Sequence, residues 1–587
     1  MQRMIIGGLI LAATSAASAQ ERWTSWPPRD YLLKSLVEAV PTTLKAFHPE
    51  TGKFGSKPWI CRDQNRIFHL AAAWAIEHKA NPWFHDAKVL HAVARGGEAL
   101  VDEMDAKGMW TFRKKDHSTW GQIHMPWTYS RWIRAYHLVR DALPAASRQK
   151  WEKGFLLGFK GIRRYASGRG VHNIPTHHAM GLYIAGVCFD NDDWKRAATA
   201  YMARVVKKQD PVGYWSEHSG PVVGYNRVYV DALGIYYHFA RDPVVLPALE
   251  RSAKFHASVL WPDGSAVACI DERVIYHKRV DVGNVGFAWT PEGRGFLLKQ
   301  VALHASGGTR LVDPDYAAAM LLYGGAGEAV APAADRDEGV VVLGKSQAVV
   351  RRRKPWQWAL SAYACKPIAN RWIQDRHNLV DVYHDALGLV VGGGNTKLQP
   401  YWSTFTVGDP ALLSHKPGDT HPNFVPKIDL LWTPDKAAIA DEAKASALSL
   451  EYGKVACRLS VEAHADGTLT LTCKAPRGKR AEAHVPLLKR ARTLRTATGS
   501  RVALTAEPLL LTAEQLGGHF VFGGLKVSVP EGASLRWPAR QHNPYTRDGR
   551  SSLEAAKLVL VLPFGQADEH RVVLSHQAGR QGQPKSP

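Results

Sequence analysis

The sequence predicts a multidomain α-then-β chain: an N-terminal incomplete (α/α) toroid of helical hairpins followed by an antiparallel β-sandwich domain. Two observations carry this. Apolar residues recur with a helical period from about residue 28 to 325, then with a period of two from about 337 onward. The length of 587 residues adds a third, because one core rarely grows beyond about 250–300 residues. The expected layout is a leader over 1–19, the toroid over 20–330, the sandwich over 331–576 and a Gln/Gly/Pro-rich, disordered tail over 577–587.

In the helical half, the tract from Asp63 to Lys79 places Ile67, Leu70, Ala71 and Trp74 on one face. Ser147 is placed to cap a helix carrying Trp151, Phe155, Leu156 and Phe159. Similar tracts recur at 29–46, 86–104, 124–142, 175–188, 192–207, 221–240, 244–259 and 294–306. Helices in such a series, without intervening strands, pack as hairpins side by side, with inner helix ends lining a cleft. In the second half, Val455, Cys457, Leu459 and Val461 alternate with polar residues, and beyond a turn at Asp466-Gly467 so do Leu469, Leu471 and Cys473. Further strand runs are Val340–Leu343, Trp358–Tyr363, Leu379–Tyr383, Phe520–Val529, Leu558–Leu562 and Arg571–Leu574. Cys457 and Cys473 lie on the two arms of one hairpin and are candidates to pair. The other four cysteines are widely separated, which excludes a zinc ribbon.

Residues 1–19 combine Arg3, an apolar run from Met4 to Ala13 and a small-residue exit at Ala17-Ser18-Ala19. This is the pattern of a secretory signal cleaved before Gln20. The run is too short to span a bilayer and no second one follows. The expected product is exported, periplasmic or secreted, with no integral membrane segment.

Lys+Arg 75 against Asp+Glu 53 leaves a net charge of +22, which calls for a polyanionic partner. A nucleic acid would need a compact basic reader or RNA module, and none is visible. A membrane surface would need an amphipathic basic helix, and none stands out. An acidic polysaccharide fits the charge, the leader and the aromatics together. Fourteen of the twenty tryptophans precede residue 300, and those in the polar stretch Trp120-Gly-Gln-Ile-His124-Met-Pro-Trp127 are candidates to stack on sugar rings. The run Arg351-Arg-Arg-Lys354 reads as a solvated face.

The segment Asp210–Leu233 carries the densest chemistry. It places Trp215, Glu217, His218, Tyr225, Arg227, Tyr229 and Asp231 within a short span. Pro221 suits a first helical turn, so His218 belongs to the preceding loop. Tyr225 and Tyr229 share a helix face. Upstream, Val171–His178 puts Asn173 just before another helix, with His177 and His178 after it. Downstream, Asp271–Arg279 carries Arg273 and Arg279 beyond a turn at Pro262-Asp263-Gly264. Each also has a plain packing role: Tyr229 as core, Asn173 as a cap, His177 or His178 as buried histidines, Arg273 as the partner of Asp271 or Glu272.

The order Asn173, His218, Gly224-Tyr225, Val228, Asp231 and then the Arg-bearing stretch resembles the polysaccharide lyases with an (α/α) toroid and a β-sandwich. These are the hyaluronate, chondroitin and xanthan lyase group with its heparinase II/III-like and alginate lyase relatives. The likeness in motif covers about residues 170–280, and the domain order extends it over most of the chain. The His218-to-Tyr225 gap is shorter than in the hyaluronate lyase group, which leaves Glu217 or His178 able to share the role of His218.

The resemblance implies β-elimination beside a uronic acid, glucuronate first. A base removes the C5 proton and an acid protonates the leaving oxygen on C4. Asn173 would neutralise the carboxylate. Tyr225 would be the general acid, and also the base where proton and leaving group are syn; His218 is the alternative base. A phenol with its reference pKa of about 10 is a poor base unaided. Arg273, Arg279 and protonated histidines would favour its anion. Trp120, His124, Trp127, His178, Trp215, Glu217, Tyr229 and Arg273 are the expected substrate contacts, and no cofactor is called for. Some relatives carry a structural divalent metal in the β domain. The stretch Asp375-Arg-His377 to Asp381 and His384, followed by Gly392-Gly-Gly394-Asn395, is spaced too loosely to assign one here. Two alternatives stand beside the lyase. One is a toroidal glycoside hydrolase using Glu217, Asp231 or Asp271. The other is a non-catalytic envelope glycan-binding protein.

Overall fold

The computed structural model describes residues 25–273, 275–306, 310–332, 338–414, 419, 421–441 and 445–577. The expected leader over 1–19 and the tail beyond residue 577 lie outside the described residues. The chain divides into two compact units. The first takes the chain up to Trp215, then Gly224–Ala257 and Val280–Pro332; the second takes Ser216–Val223, Ser258–Arg279 and the chain from Ala333. A single cut near residue 330 therefore overlooks two excursions, 216–223 and 258–279, which carry no apolar period of their own.

The first unit is built from α1 (Arg29–Lys45), α2 (Arg66–Ala75), α3 (Ala87–Asp102), α4 (Pro126–Val139), α5 (Ala145–Gly168), α6 (Asn173–Cys188), α7 (Asp192–Lys208), α8 (Val223–Ala240), α9 (Leu246–Ser258), α10 (Pro291–Ala305) and α11 (Pro314–Tyr323). Local chemistry sets many of the starts. Asp86, Asn191, Thr290 and Asp313 accept first-turn N–H groups of α3, α7, α10 and α11, and proline opens α4, α10 and α11.

Cross-helix contacts step in one direction along both partners. Thr128 Oγ1 donates to Asn65 Oδ1 (3.0 Å), and further along Arg134 lies 4.0 Å over the Phe68 ring. Trp127 stacks on His177 (5.8 Å), and further along His137 Nδ1 meets Cys188 Sγ (3.8 Å). His177 lies 3.7 Å from Asp231, and further along Tyr183 meets Tyr236 (5.1 Å). Arg131 meets Asp315 (2.6 Å), and further along Arg134 reaches the Tyr323 ring (5.8 Å). Helices α2, α4, α6, α8 and α11 therefore run parallel, with their N-terminal ends at one mouth.

Helices α3, α5 and α7 back this inner set. Trp151 Nε1 donates to Ala94 O (3.1 Å), and Trp132 packs 4.0 Å from Phe155. Gly97 makes the α3–α5 approach feasible, since a Cβ there would lie 2.0 Å from the Trp151 ring.

Several local expectations change. Ser147 does not cap α5: the helix opens at Ala145 behind Pro144, and Ser147 Oγ donates to Glu98 Oε1 (2.5 Å). The Asp63–Lys79 tract is a 3₁₀ turn, Cys61–Asn65, followed by α2. A strand pair, Trp110–Arg113 with Thr119–Ile123, interrupts the helical series. Helix α11 escaped notice because PDYAAAMLLY is short and apolar all round, which leaves little amphipathic period to read.

The second unit is a sandwich of an eleven-stranded and a nine-stranded antiparallel sheet. Their inner faces share one core, with Trp356, Trp358, Phe405, Leu448, Leu471, Phe520, Leu560 and Leu574 among its members. The nine-stranded sheet runs Lys436–Asp441, Ala445–Tyr452, Val455–Ala463, Leu469–Lys474, Glu569–His576, Leu525–Ser528, His519–Phe522, Thr493–Thr496, Arg501–Ala503. The run Phe520–Val529 is thus two strands, folded back at Gly523-Gly524, both at positive φ. Leu459 pairs with Cys473, which leaves Cys457 two residues out of register, and both cysteines are buried and free. His377 bonds Ser403 Oγ (2.8 Å), Asp381 accepts the backbone N–H groups of Ala268, Cys269 and Gly393, and His384 packs on Trp356. Among the described residues no group of three His, Cys, Asp or Glu side chains is placed to hold a metal.

Burial pushes several histidines down: His69, His178 and His238 to about 4, His177 to about 3, and in the second unit His377 to about 3 and His384 to about 4. An unfolded histidine titrates near ~6.5, so between these limits the unfolded chain binds more protons than the folded one. Stability should be full above pH ~6.5 and fall steadily as the pH drops toward 4. Calorimetric melting across this range should show a decline of roughly 2–4 °C for each kcal/mol lost; a flat profile would contradict the assignment of neutral buried histidines.

Candidate active site

A cavity of about 310 Å³ opens among the inner helices of the first unit. Its walls include Trp127, Arg131 and Arg134 of α4, His177 of α6, Gly224, Arg227, Val228 and Asp231 of α8, and Asp315 of α11 with its cap residue Asp313. The sequence brings them together because the inner helices are parallel: one turn into each helix lies at one depth of the ring.

The charges are internally matched. Arg131 reaches Asp315 Oδ2 through Nε (2.9 Å) and Nη2 (2.6 Å), and Arg227 pairs with Asp281. Arg134 donates through Nε to Ser130 O (3.0 Å) and lies over Phe68. Burial alone would raise the Asp315 carboxyl, but Arg131 and Arg134 outweigh it and hold it below the ordinary carboxylate value. Asp231 goes the other way: burial lifts it, and the same two arginines do not compensate. His177 is kept neutral by burial and by both guanidiniums.

Asn173 and Tyr225 stand at the mouth above this cavity. Asn173 is the first residue of α6, one turn before His177; the cap position is His172, and Asn173 Oδ1 accepts the N–H of Ile174 (2.6 Å). Tyr225 lies in the first turn of α8, one turn before Val228 and half-buried. Since α6 and α8 run parallel through the His177–Asp231 and Tyr183–Tyr236 contacts, the two N-terminal turns sit side by side. Both turns carry the positive ends of helix dipoles, which favour an anion.

The expected aromatic contacts separate clearly. Trp120, on the strand pair, is 56% exposed, with Lys114 Nζ 5.2 Å from its ring and Phe112 at its edge. Trp127 lines the cavity. Trp215 and Tyr229 are buried and stacked on each other (4.9 Å), so their faces are closed to a sugar. His178 is buried, its Nε2 2.6 Å from His124 O, and His124 Nε2 sits 3.0 Å from Lys107 O. The contacts expected of Trp215, Tyr229 and His178 are packing contacts instead.

The remaining sequence candidates belong to the second unit. His218 is exposed at φ +75° in a loop where Glu217 N–H donates to Gly220 O (3.1 Å). Glu217 itself is buried. Glu272 steadies that loop by accepting the Ser219 N–H at Oε1 (3.3 Å), and burial pushes its carboxyl up to about 7 against the pull of Arg376. Arg273 donates to Trp372 O (3.0 Å), and Arg279 is exposed.

Sequence reading overlooked Arg131, Arg134 and Asp315. The available signal was two arginines three apart in the aromatic helix WTYSRWIRAYHLV, where a buried charge demands a partner.

No protein-family model and no curated protein sequence matches the chain. Solved structures do. The chain shares its fold with chondroitin AC lyases. One chondroitinase AC lyase aligns at TM-score 0.51 and 12% identity, covering 97% of this chain and 84% of its own. The chondroitin AC lyase of Streptomyces coelicolor A3 aligns at TM-score 0.51 and 13% identity, over 96% and 83%. The heparan sulfate lyase HepC of Pedobacter heparinus aligns at TM-score 0.47 and 12% identity, over 97% and 88%. No helix among the described residues is long and apolar enough to cross a membrane.

The Arg131–Asp315 pair should be a point of fragility. Asp315→Asn leaves the guanidinium underpaired and should cost about 2–3 kcal/mol in denaturant unfolding, less than a fully buried pair because both side chains are 20% exposed. Arg131→Met with Asp315→Leu should recover most of that loss. A double-variant loss equal to the sum of the Arg131→Met and Asp315→Leu single losses would show that the pair is not coupled.

Proposed function

We propose that the chain is a polysaccharide lyase that cleaves an acidic polysaccharide beside a uronic acid, glucuronate first, by β-elimination. The observation that supports this most directly is the side-by-side placement of Asn173 and Tyr225 at one mouth, above a cavity. An amide and two helix N-termini suit a sugar carboxylate and lower the cost of charge developing on it. Tyr225 is then the proton-transfer group. The C5–H electrons form the C4=C5 double bond, the C4–O bond breaks, and the leaving oxygen takes a proton. His218 remains the alternative base. Trp120 and Trp127 offer ring faces to neighbouring sugars, and Arg273 and Arg279 remain proposed anion contacts. No step in this chemistry calls for a cofactor. The export signal read over residues 1–19 would send such an enzyme to the periplasm or outside the cell.

One observation favours a second reading. Asp231 and Asp315 line the same cavity, and their surroundings move them in opposite directions, as a hydrolase acid and base would require. The products decide: elimination leaves an unsaturated, ultraviolet-absorbing sugar end, hydrolysis only a new reducing end.

Tyr225→Phe should lower kcat on hyaluronate, chondroitin or heparan sulfate by roughly 10²–10⁴-fold while substrate binding persists. A near-wild-type rate of ultraviolet-absorbing product would remove Tyr225 from the chemistry, and no such product from any uronate polymer with the wild type would remove the lyase reading.

A further inference from the structure

We propose that the outer face of the nine-stranded sheet is a docking surface for an extended acidic polysaccharide, formed by a cross-strand row of Arg501, Arg495 and Lys526. The inference deepens the functional reading above, since it assigns a second place where the same class of polymer is held.

The register makes the row. Arg501 pairs with Arg495, Arg495 with Val521, Val521 with Lys526, and Lys526 with Ser575. Directly paired residues point to the same face, and all three cations are exposed. With strands about 4.7–4.9 Å apart, the cations stand at roughly 0, 5 and 15 Å along a line across the strands. His519 lies beside them, its ring pushed toward neutrality by burial and by Lys526 and Arg495. Val521 is half-buried in the row and Val573 is 37% exposed near it, while Thr493 and Ser575 add hydroxyls.

Several basic side chains elsewhere on this face are matched, while Arg458, among the described residues, meets only Ser449 Oγ (3.4 Å). Lys474 and Arg571 both reach Glu569 (2.6 Å), and Lys436 reaches Glu451 (2.8 Å). Among the described residues, Arg501, Arg495 and Lys526 have no carboxylate within 4.0 Å. Like charges directly opposite one another destabilise a sheet, so Arg501 against Arg495 needs a reason. Protection of an edge from unwanted strand pairing covers Arg501, which sits on the terminal strand. It does not cover Arg495 and Lys526, which sit on interior strands.

A polyanion lying across the strands gives each cation a counter-charge. Among the described residues the row holds no Phe, Tyr or Trp ring for stacking a base and no protruding apolar helix for a bilayer, and its hydroxyls suit sugar hydroxyls.

The test uses the full chain and reads binding, not turnover. The Arg495→Ala/Arg501→Ala/Lys526→Ala variant is compared with a charge-matched control, Lys79→Ala/Lys88→Ala/Lys153→Ala, on immobilised hyaluronate and heparin in a salt gradient. The row variant should elute at lower salt and bind roughly ten-fold more weakly, the product of three exposed ion pairs of ordinary strength. The control should stay within two-fold of wild type, and the row variant should melt no lower than wild type. Equal weakening in both variants would reduce the effect to net charge and overturn the proposal. So would unchanged retention of the row variant. Loss of binding to anionic phospholipid vesicles or single-stranded DNA, with retention on both polysaccharides intact, would assign the row to a different partner. Polysaccharide binding that depends on the row but yields no unsaturated product would sink the lyase reading alone and leave this surface standing.

Discussion

The common direction of the inner helices is the constraint on which the first unit depends. Once α2, α4, α6, α8 and α11 run the same way, their N-terminal turns must gather at one mouth, and residues one turn in must gather at one depth. The mouth then carries the positive ends of several helix dipoles. Nothing in this requires a basic side chain. The backbone itself makes the mouth hospitable to an anion.

The layer below solves the opposite problem. Arginines placed inside a helical ring lose hydration and need compensation. Asp315 and Asp281 supply it for Arg131 and Arg227, and the faces of Phe68 and Tyr323 supply part of it for Arg134. Asp231 is the member left over: it shares the cavity with the same arginines yet remains shifted toward its protonated form. A paired ionic floor ties α4 to α11 through Arg131–Asp315, one turn below the mouth that carries Asn173 and Tyr225.

The pattern of legibility follows from which interactions are local. Helix tracts set by periodicity and caps came within a few residues: 29–46 against Arg29–Lys45, and 192–207 against Asp192–Lys208. Asn173 at a helix start and His218 in the preceding loop were also legible, because Pro221 and the apolar runs around them are local signals. What failed was non-local. Arg131 finds Asp315 across 184 residues, and no window of sequence shows that pairing. Trp215 and Tyr229 looked like sugar contacts because aromatic density says nothing about which ring face is open; in the fold they close on each other. Cys457 and Cys473 failed as a pair because a hairpin register two residues away from the simplest one separates them.

In the proposed reading, charge placement separates holding a polymer from cutting it. The cavity beneath the mouth is lined by aspartates as well as arginines, so it contributes little to the net charge of +22. The unmatched cations of the nine-stranded sheet are a different kind of device: exposed and at strand spacing, they act at range and weaken with salt. Proton transfer at a uronate gains little from such charges, since it depends on close, desolvated and directional groups, an amide and a phenol. If both were built into one cleft, strong general attraction would hold product as tightly as substrate. In the proposed lyase, a cleft near charge balance would let product leave, while the unpaired cations of the sheet would keep the polymer near.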